Sequence, residues 1–192
     1  MLPRRSCSRG AVKPIPSRTS SPTATASGTK AQAVDGFPAD SVLRALDDGA
    51  KPKLVVSGIN QGQNLGPVVN ASGTVGAAKT AVRNGIPALA VSQGIVAEPD
   101  TPDYPTGVRY AIDWVKQHRK NLTGKKPKVE VENLNVPTCL TGKVRGLDDD
   151  VASATAGDAV GQSDCASTAT GFTDDVTAFN NGYATLTVVP AT

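Results

Sequence analysis

Three consecutive residues, Ser72, Gly73 and Thr74, carry the most legible chemistry of this chain. Two hydroxyls around a glycine, feeding a run of small residues from Val75 to Arg83, present hydroxyls and free backbone N–H groups to an anion at a helix start. The helix dipole favours negative charge there. The same residues also read as a plain helix cap, in which a hydroxyl accepts a first-turn N–H at a gain of about 1 kcal/mol. Both readings stand at this point. Upstream lies a loop with glycines at 58, 62 and 66 and with Asn60 and Asn64 among them. The segment GTVGAAKT at 73–80 spells part of a triphosphate-binding loop, with Lys79 and Thr80 in place. Ala78 stands where that motif needs a second glycine, and Lys79 falls inside the helix, so this class is set aside. No G-x-S-x-G elbow occurs, and a single histidine gives a serine-hydrolase triad little support. His118 sits in the cluster His118, Arg119, Lys120, which reads as a solvated helix C-terminus complementing the dipole rather than as a catalytic group.

The elements that must position these residues follow from period and punctuation. Leu54, Val55 and Val56 form a β-branched apolar run, then come the loop, the helix, the turn Asn84-Gly85 and a second apolar run from Ala88 to Val91. Strand, helix and strand in that order make a βαβ unit, and ligands bind at the carboxyl ends of such strands. Before it, a strand is expected near Ala31–Val34, a turn at Asp35 and Gly36, and a helix after Phe37. Pro38 suits its first turn and Val42, Leu43, Ala45 and Leu46 its buried face, while Gly49 and Pro52 stop it. Beyond a Pro- and acid-rich loop, a helix from Thr106 places Val108, Ala111, Ile112 and Val115 on one face, with Trp114 as anchor. VEVENLNVP reads as another strand. From Thr138 to Gly171 the pattern dissolves into a long loop or irregular arm. A short helix, an Asn-Gly turn and an alternating strand from Tyr183 to Val188 close the chain. The fold class expected is α/β, a three-layer sandwich around a mainly parallel sheet.

Of 192 residues, 39% are hydrophobic and 19% charged, enough for one domain with a real core. Residues 1–28 are rich in Pro, Ser, Thr and Arg without hydrophobic period and read as a disordered basic tail, leaving 29–192 as the domain. The first 34 residues hold six basic groups and no acid, and the remainder is mildly acidic. Without interleaved aromatic residues this tail is not read as a nucleic-acid surface. An organelle transit peptide is a minor alternative for it. No apolar run approaches the ~20 residues that span a bilayer, so no membrane partner is expected. Cys7, Cys139 and Cys165 form no metal-ligand cluster. The last two pair as a disulfide or remain buried thiols.

VVSGINQGQNLG followed by ASGTVGAAKTAVRNGIPALAVS resembles the central signature of the SurE-like phosphatase/nucleotidase family, the stationary-phase survival proteins. AVDGFPADSV is similar to that family's Gly-Thr-Pro-Ala-Asp-Cys segment, with Phe37 and Ser41 departing from it. NLNVP at 133–137 and DDVTAFNNGYATLTVVP at 174–190 resemble its later strands, so the likeness covers about residues 30–192. The resemblance implies a metal-dependent phosphomonoesterase, a 5′-nucleotidase or acid phosphatase acting on nucleoside monophosphates and other phosphate esters. It assigns Asn60 to the metal, Asn64 to the same loop, and Ser72, Gly73 and Thr74 to the phosphate. Mg²⁺ or Mn²⁺ suits oxygen ligands of this kind. It further implies a homo-oligomer, and the pair Cys139 and Cys165 with an Ala/Thr-rich arm resembles exported, secreted members. The family's first strand ends in Asn-Asp-Asp-Gly, the main metal ligands with one catalytic carboxylate, and this chain spells no such strand. Asp47-Asp48-Gly49 stands at a helix end, and Asp148, Asp149 and Asp150 lie in the arm. The expectation is therefore an N-terminally incomplete member with its catalytic residues unknown and its metal weakly held. The alternative is an inactive phosphate- or nucleotide-binding protein.

Overall fold

The computed structural model describes residues 18–97, 100–149, 151 and 157–192. Residues 1–17 of the expected tail, Cys7 among them, and Asp150 lie outside the described residues. Strands β1 (Ser20–Ala24) and β2 (Lys30–Val34) are followed by helix α1 (Pro38–Asp47) and strand β3 (Val55–Gln61). A 3₁₀ turn at Gly66–Asn70 leads into α2 (Gly73–Arg83), β4 (Ala88–Gln93), α3 (Tyr104–Leu122) and β5 (Val131–Val136). The chain ends with β6 (Leu147–Asp148), α4 (Asp175–Asn180) and β7 (Ala184–Val189). The main sheet runs β3-β4-β5-β7-β6. Its β3/β4, β4/β5 and β6/β7 pairs are parallel and its β5/β7 pair antiparallel, so the sheet is mainly parallel as expected.

Side-chain alternation sorts the two faces. Ala88 and Ala90 of β4, with Val131 and Val189, pack under Val75, Ala78 and Ala81 of α2, while Leu89, Val91, Leu134 and Val136 pack under Trp114 and Leu122 of α3. All six residues of β4 are buried, as a strand covered on both sides requires. Helices on both faces of one sheet make the three-layer sandwich. The small residues of α2 bring its backbone close to the sheet, so its N-terminus is placed rigidly.

Several expectations are corrected. Ser20–Ala24 is a strand of a hairpin with β2, paired from Ser20↔Val34 to Ala24↔Lys30, not part of a disordered tail. Both strands are largely exposed, so their pairing rests on backbone bonds and on a turn where Thr25 Oγ1 accepts from Thr29 N at 3.0 Å. No hydrophobic period marks it. Arg18 anchors the hairpin to α1 through Asp40 (3.3 Å) and Asp47 (2.9 Å), and Asp48 pairs with Arg44 at 2.8 Å. Asp47 and Asp48 are therefore engaged in surface ion pairs, and Ala45 of the expected buried face is exposed. On α3, Val108 and Ile112 are 44% and 47% exposed, because Gly107, Trp114 and Leu122 turn the other face inward. His118 is half-buried and stacks on Trp114, ring centroids 4.3 Å apart, with Nδ1 2.9 Å from the Trp114 carbonyl, rather than standing free in solvent.

Within the arm, Leu147–Asp148 joins the sheet beside β7, a bridge too short to leave a pattern in sequence. Cys139 and Cys165 are disulfide-bonded, Cα atoms 5.6 Å apart and 26 residues apart in sequence. Closing a loop of that length restricts the unfolded chain by about 3 kcal/mol in the entropic account. Reducing the bond, or the variant C139S/C165S, is expected to lower the unfolding free energy by about 2–4 kcal/mol in urea titrations. An unchanged urea midpoint would show that the arm contributes nothing to global stability.

Candidate anion-binding site

The path of β3 toward its carboxyl end is shaped by Gly58, whose φ of 131° lies in the left-handed region. A Cβ there would strike the Val91 carbonyl oxygen of β4, so only glycine fits. Past it, Asn60 is half-buried at the carboxyl end of β3, and its Nδ2 donates to the carbonyls of Gly62 (2.7 Å) and Gln61 (3.2 Å). Its amide hydrogens are thus committed to its own loop, which leaves Oδ1 as its free donor toward a cation. Gly62 N donates to Gln93 O at 2.8 Å and closes the loop onto β4.

Asn64, expected beside Asn60, is instead 5% exposed and held in the interior. Its backbone N–H donates to Asn135 Oδ1 (2.7 Å), and its carbonyl accepts from Asn133 Nδ2 (2.8 Å) and Asn135 Nδ2 (3.2 Å). Its own Nδ2 donates to Ser92 Oγ at 2.7 Å. Two residues on, Gly66 N donates to Asp175 Oδ2 at 3.0 Å. Gln63 extends the network: its Oε1 accepts from Ile95 N (3.0 Å) and its Nε2 donates to Gly161 O of the arm (2.8 Å). Asn133, Asn135, Ser92 and Asp175 are fully buried. Sequence reasoning assigned none of them to the site, since the only available signal was polar residues inside otherwise apolar strands.

Ser72 is the N-cap of α2, and its Oγ accepts from Val75 N at 3.1 Å. The N–H groups of Gly73 and Thr74, first in the helix, have no intrahelical acceptor. Gly73 is exposed and Thr74 half-buried, so both face the surface at the carboxyl ends of the parallel strands. The start of α1 sits beside them: a Cβ at Gly73 would lie 3.1 Å from Pro38 Cγ. The two helix starts adjoin, but that of α1 is satisfied within itself, since Pro38 has no N–H and Phe37 N donates to Asp40 Oδ2 at 2.9 Å. The start of α2 therefore offers the free amides to an anion. Within α2, Lys79 is largely buried and Thr80 Oγ1 donates to the Gly76 carbonyl at 2.9 Å, so neither is placed as a triphosphate loop requires.

A divalent cation asks for several oxygen ligands, carboxylates foremost. Among the described residues no group of three or more His, Cys, Asp or Glu side chains gathers to hold one. The residues present around Asn60 therefore do not by themselves fit a divalent metal. A half-open groove of about 950 Å³ lies away from the cradle on the opposite sheet face, between α3 and β5 and β7, with Trp114, His118 and Glu132 in its wall. Trp114 Nε1 donates to Glu132 there at 2.8 Å, and burial pushes the neighbouring Tyr110 phenol up, with Arg109 pulling it back. The shape of the surface thus points one way and the anion chemistry the other. The free amides of Gly73 and Thr74 at the start of α2 favour the cradle.

The fold is a mainly parallel α/β sandwich with a hydroxyl-capped helix start at the carboxyl ends of its strands, a geometry suited to an anion. The family model described as survival protein SurE matches residues 3–158, beginning inside the stretch read as tail. The chain belongs to the SurE family. It is 37% identical over 119 residues to the 5′-nucleotidase SurE of Fervidobacterium nodosum, covering 59% of this chain and 44% of that protein. Against the 5′-nucleotidase SurE of Prochlorococcus marinus it is 41% identical over 114 residues, 58% of this chain and 40% of that one. The matched region thus spans less than half the length of these curated relatives. The solved SurE protein from Aquifex aeolicus shares the fold with a TM-score of 0.65 at 23% identity, over 91% of this chain and 74% of that one.

Capping and anion binding by Ser72 are separable. Ser72→Ala is expected to cost about 1 kcal/mol in urea unfolding through the lost cap. Ser72→Asp keeps a capping oxygen and the favourable dipole but sets a negative charge in the cradle. It should unfold like the wild type and lose affinity for inorganic phosphate in calorimetric titration, whereas wild-type affinity in S72D would leave Ser72 as a cap alone.

Proposed function

We propose that this chain acts on phosphate monoesters, nucleoside monophosphates first among them, as a hydrolase of the 5′-nucleotidase or acid-phosphatase kind. The observation that carries this reading is the cradle itself: the Ser72 hydroxyl and the free N–H groups of Gly73 and Thr74 at the start of α2. Kinship with relatives named 5′-nucleotidase SurE supports the same substrate class. In this reading Ser72, Gly73 and Thr74 hold the phosphate, and Asn60 Oδ1 stands ready as one neutral ligand for Mg²⁺ or Mn²⁺. The catalytic carboxylate is not assigned to a described residue.

A second reading, phosphate or nucleotide binding without turnover, is favoured by one observation. No cluster of carboxylates stands around Asn60 among the described residues, and a single amide oxygen binds a divalent ion poorly. An extracytoplasmic location is proposed on the Cys139–Cys165 bond, since such bonds persist in oxidising compartments. Self-association is proposed on the apolar side chains of Val108 and Ile112, which α3 leaves half exposed.

The readings part in one experiment. Release of inorganic phosphate from a nucleoside monophosphate is measured with Mn²⁺ and with EDTA, beside direct phosphate titration under both conditions. Turnover abolished by EDTA supports the hydrolase. Phosphate binding without turnover, indifferent to Mn²⁺, supports the binding protein, and absence of both would falsify the cradle as a phosphate site.

A further inference from the structure

Asn133 and Asn135 stand two residues apart on β5, with side chains on the sheet face that Ser92 shares through the Asn135↔Ser92 register. Together they grip both main-chain groups of one residue, the N–H and the carbonyl of Asn64. Side chains here do what a neighbouring strand does in a ladder. The residue they hold lies between the two halves of the cradle. On one side is Gly62, whose carbonyl accepts the Asn60 amide. On the other, Leu65 and the 3₁₀ turn Gly66–Asn70 lead directly to Ser72. Ser92 fixes the Asn64 side chain and Asp175 fixes Gly66 N, so the segment has no freedom to slide.

A second observation separates this arrangement from ordinary packing. Asn133 is fully buried, yet its Oδ1 has no hydrogen-bond partner among the described residues. A buried unpaired acceptor costs stability that an apolar side chain of similar size would not. Stability alone therefore argues against an amide at 133, and what the amide supplies is its donor to Asn64.

We propose that Asn133 and Asn135 are positioning residues, which by clamping Asn64 set the spacing between Asn60 and the Ser72–Thr74 cradle and so tune affinity for the phosphate group. The proposal rests on the phosphate reading of that cradle. It implies that the cost of losing the clamp is felt in binding before it is felt in folding.

Inorganic phosphate is titrated calorimetrically into the full chain as wild type, Asn133→Leu, Ser92→Ala and Val131→Ala, with urea midpoints measured for each. Val131 lies on β5 beside the clamp and bonds nothing in it, so Val131→Ala reports general loosening of the strand. The expected result is phosphate affinity about tenfold weaker in N133L and S92A, a measurable shift in binding free energy. The N133L midpoint should be unchanged or raised, since the orphaned oxygen is gone. V131A should lower the midpoint and keep wild-type affinity. Wild-type affinity in both N133L and S92A overturns the inference, as does an equal loss in V131A. If N133L does not fold, S92A against V131A decides alone. A wild type that takes no phosphate removes the cradle reading and this inference with it, whereas a wild type that binds beside variants that bind equally removes the inference only.

Discussion

A peptide segment that passes through a protein interior must find a partner for every N–H and carbonyl it carries, and Gln63 to Gly66 is such a segment. Gln63 and Asn64 are 5% exposed and Leu65 is fully buried. Among the described residues no strand runs alongside to satisfy them. Instead four side chains from three elements reach in: Asn133 and Asn135 from β5 and Asp175 from the start of α4 bond its main chain, and Ser92 from β4 accepts from the Asn64 side chain. The layout of the sheet, the polar stripe on its inner face and the docking of α4 all answer this one requirement.

That requirement explains why a single face of the sheet changes character along its length. Near the amino ends of β4 and β5 it is apolar, with Ala88, Ala90 and Val131 under α2. Toward the carboxyl ends it becomes Ser92, Asn133 and Asn135, with Thr185 and Thr187 opposite on β7 in register with Asn135 and Asn133. Apolar packing seats α2, and the polar end holds the loop that precedes α2. Leaving Asn133 Oδ1, Thr185 Oγ1 and Thr187 Oγ1 without partners is the cost of a polar interior at this position. The cradle is thereby built on rigid elements, which is what positioning a small anion demands.

Local chemistry was readable in advance wherever backbone preference and spacing decide. The small-residue helix capped by Ser72 and the Asn-Gly turn before the last strand lie where the sequence places them, within a residue or two, whereas β3 runs on to Gln61 and takes in Gly58 and Asn60, which were expected in the loop. The hairpin of Ser20–Ala24 with Lys30–Val34 was not readable, because both of its faces are exposed and no period distinguishes it from a loop. The inward face of α3 was assigned in part: Trp114, Ala111 and Val115 pack on the sheet as expected, and Val108 and Ile112 do not, for a related reason. Val108 and Ile112 match the helical period as well as the true contacts do, and only the docking of Trp114 and Leu122 on the sheet selects the rotation.

By itself, the sequence determined the βαβ core and the capped start of α2, since these follow from hydrophobic period and a helix cap acting within about one turn or one strand, while the family was legible through the resemblance of its central motif. Only the tertiary structure decided which polar groups meet. Asn64 and Asn135 are 71 residues apart, and Gly66 and Asp175 are 109. A buried asparagine in a strand looks, residue by residue, like any polar side chain facing water. Its role appears only when the chain has folded and the one unpaired peptide it can satisfy lies against it.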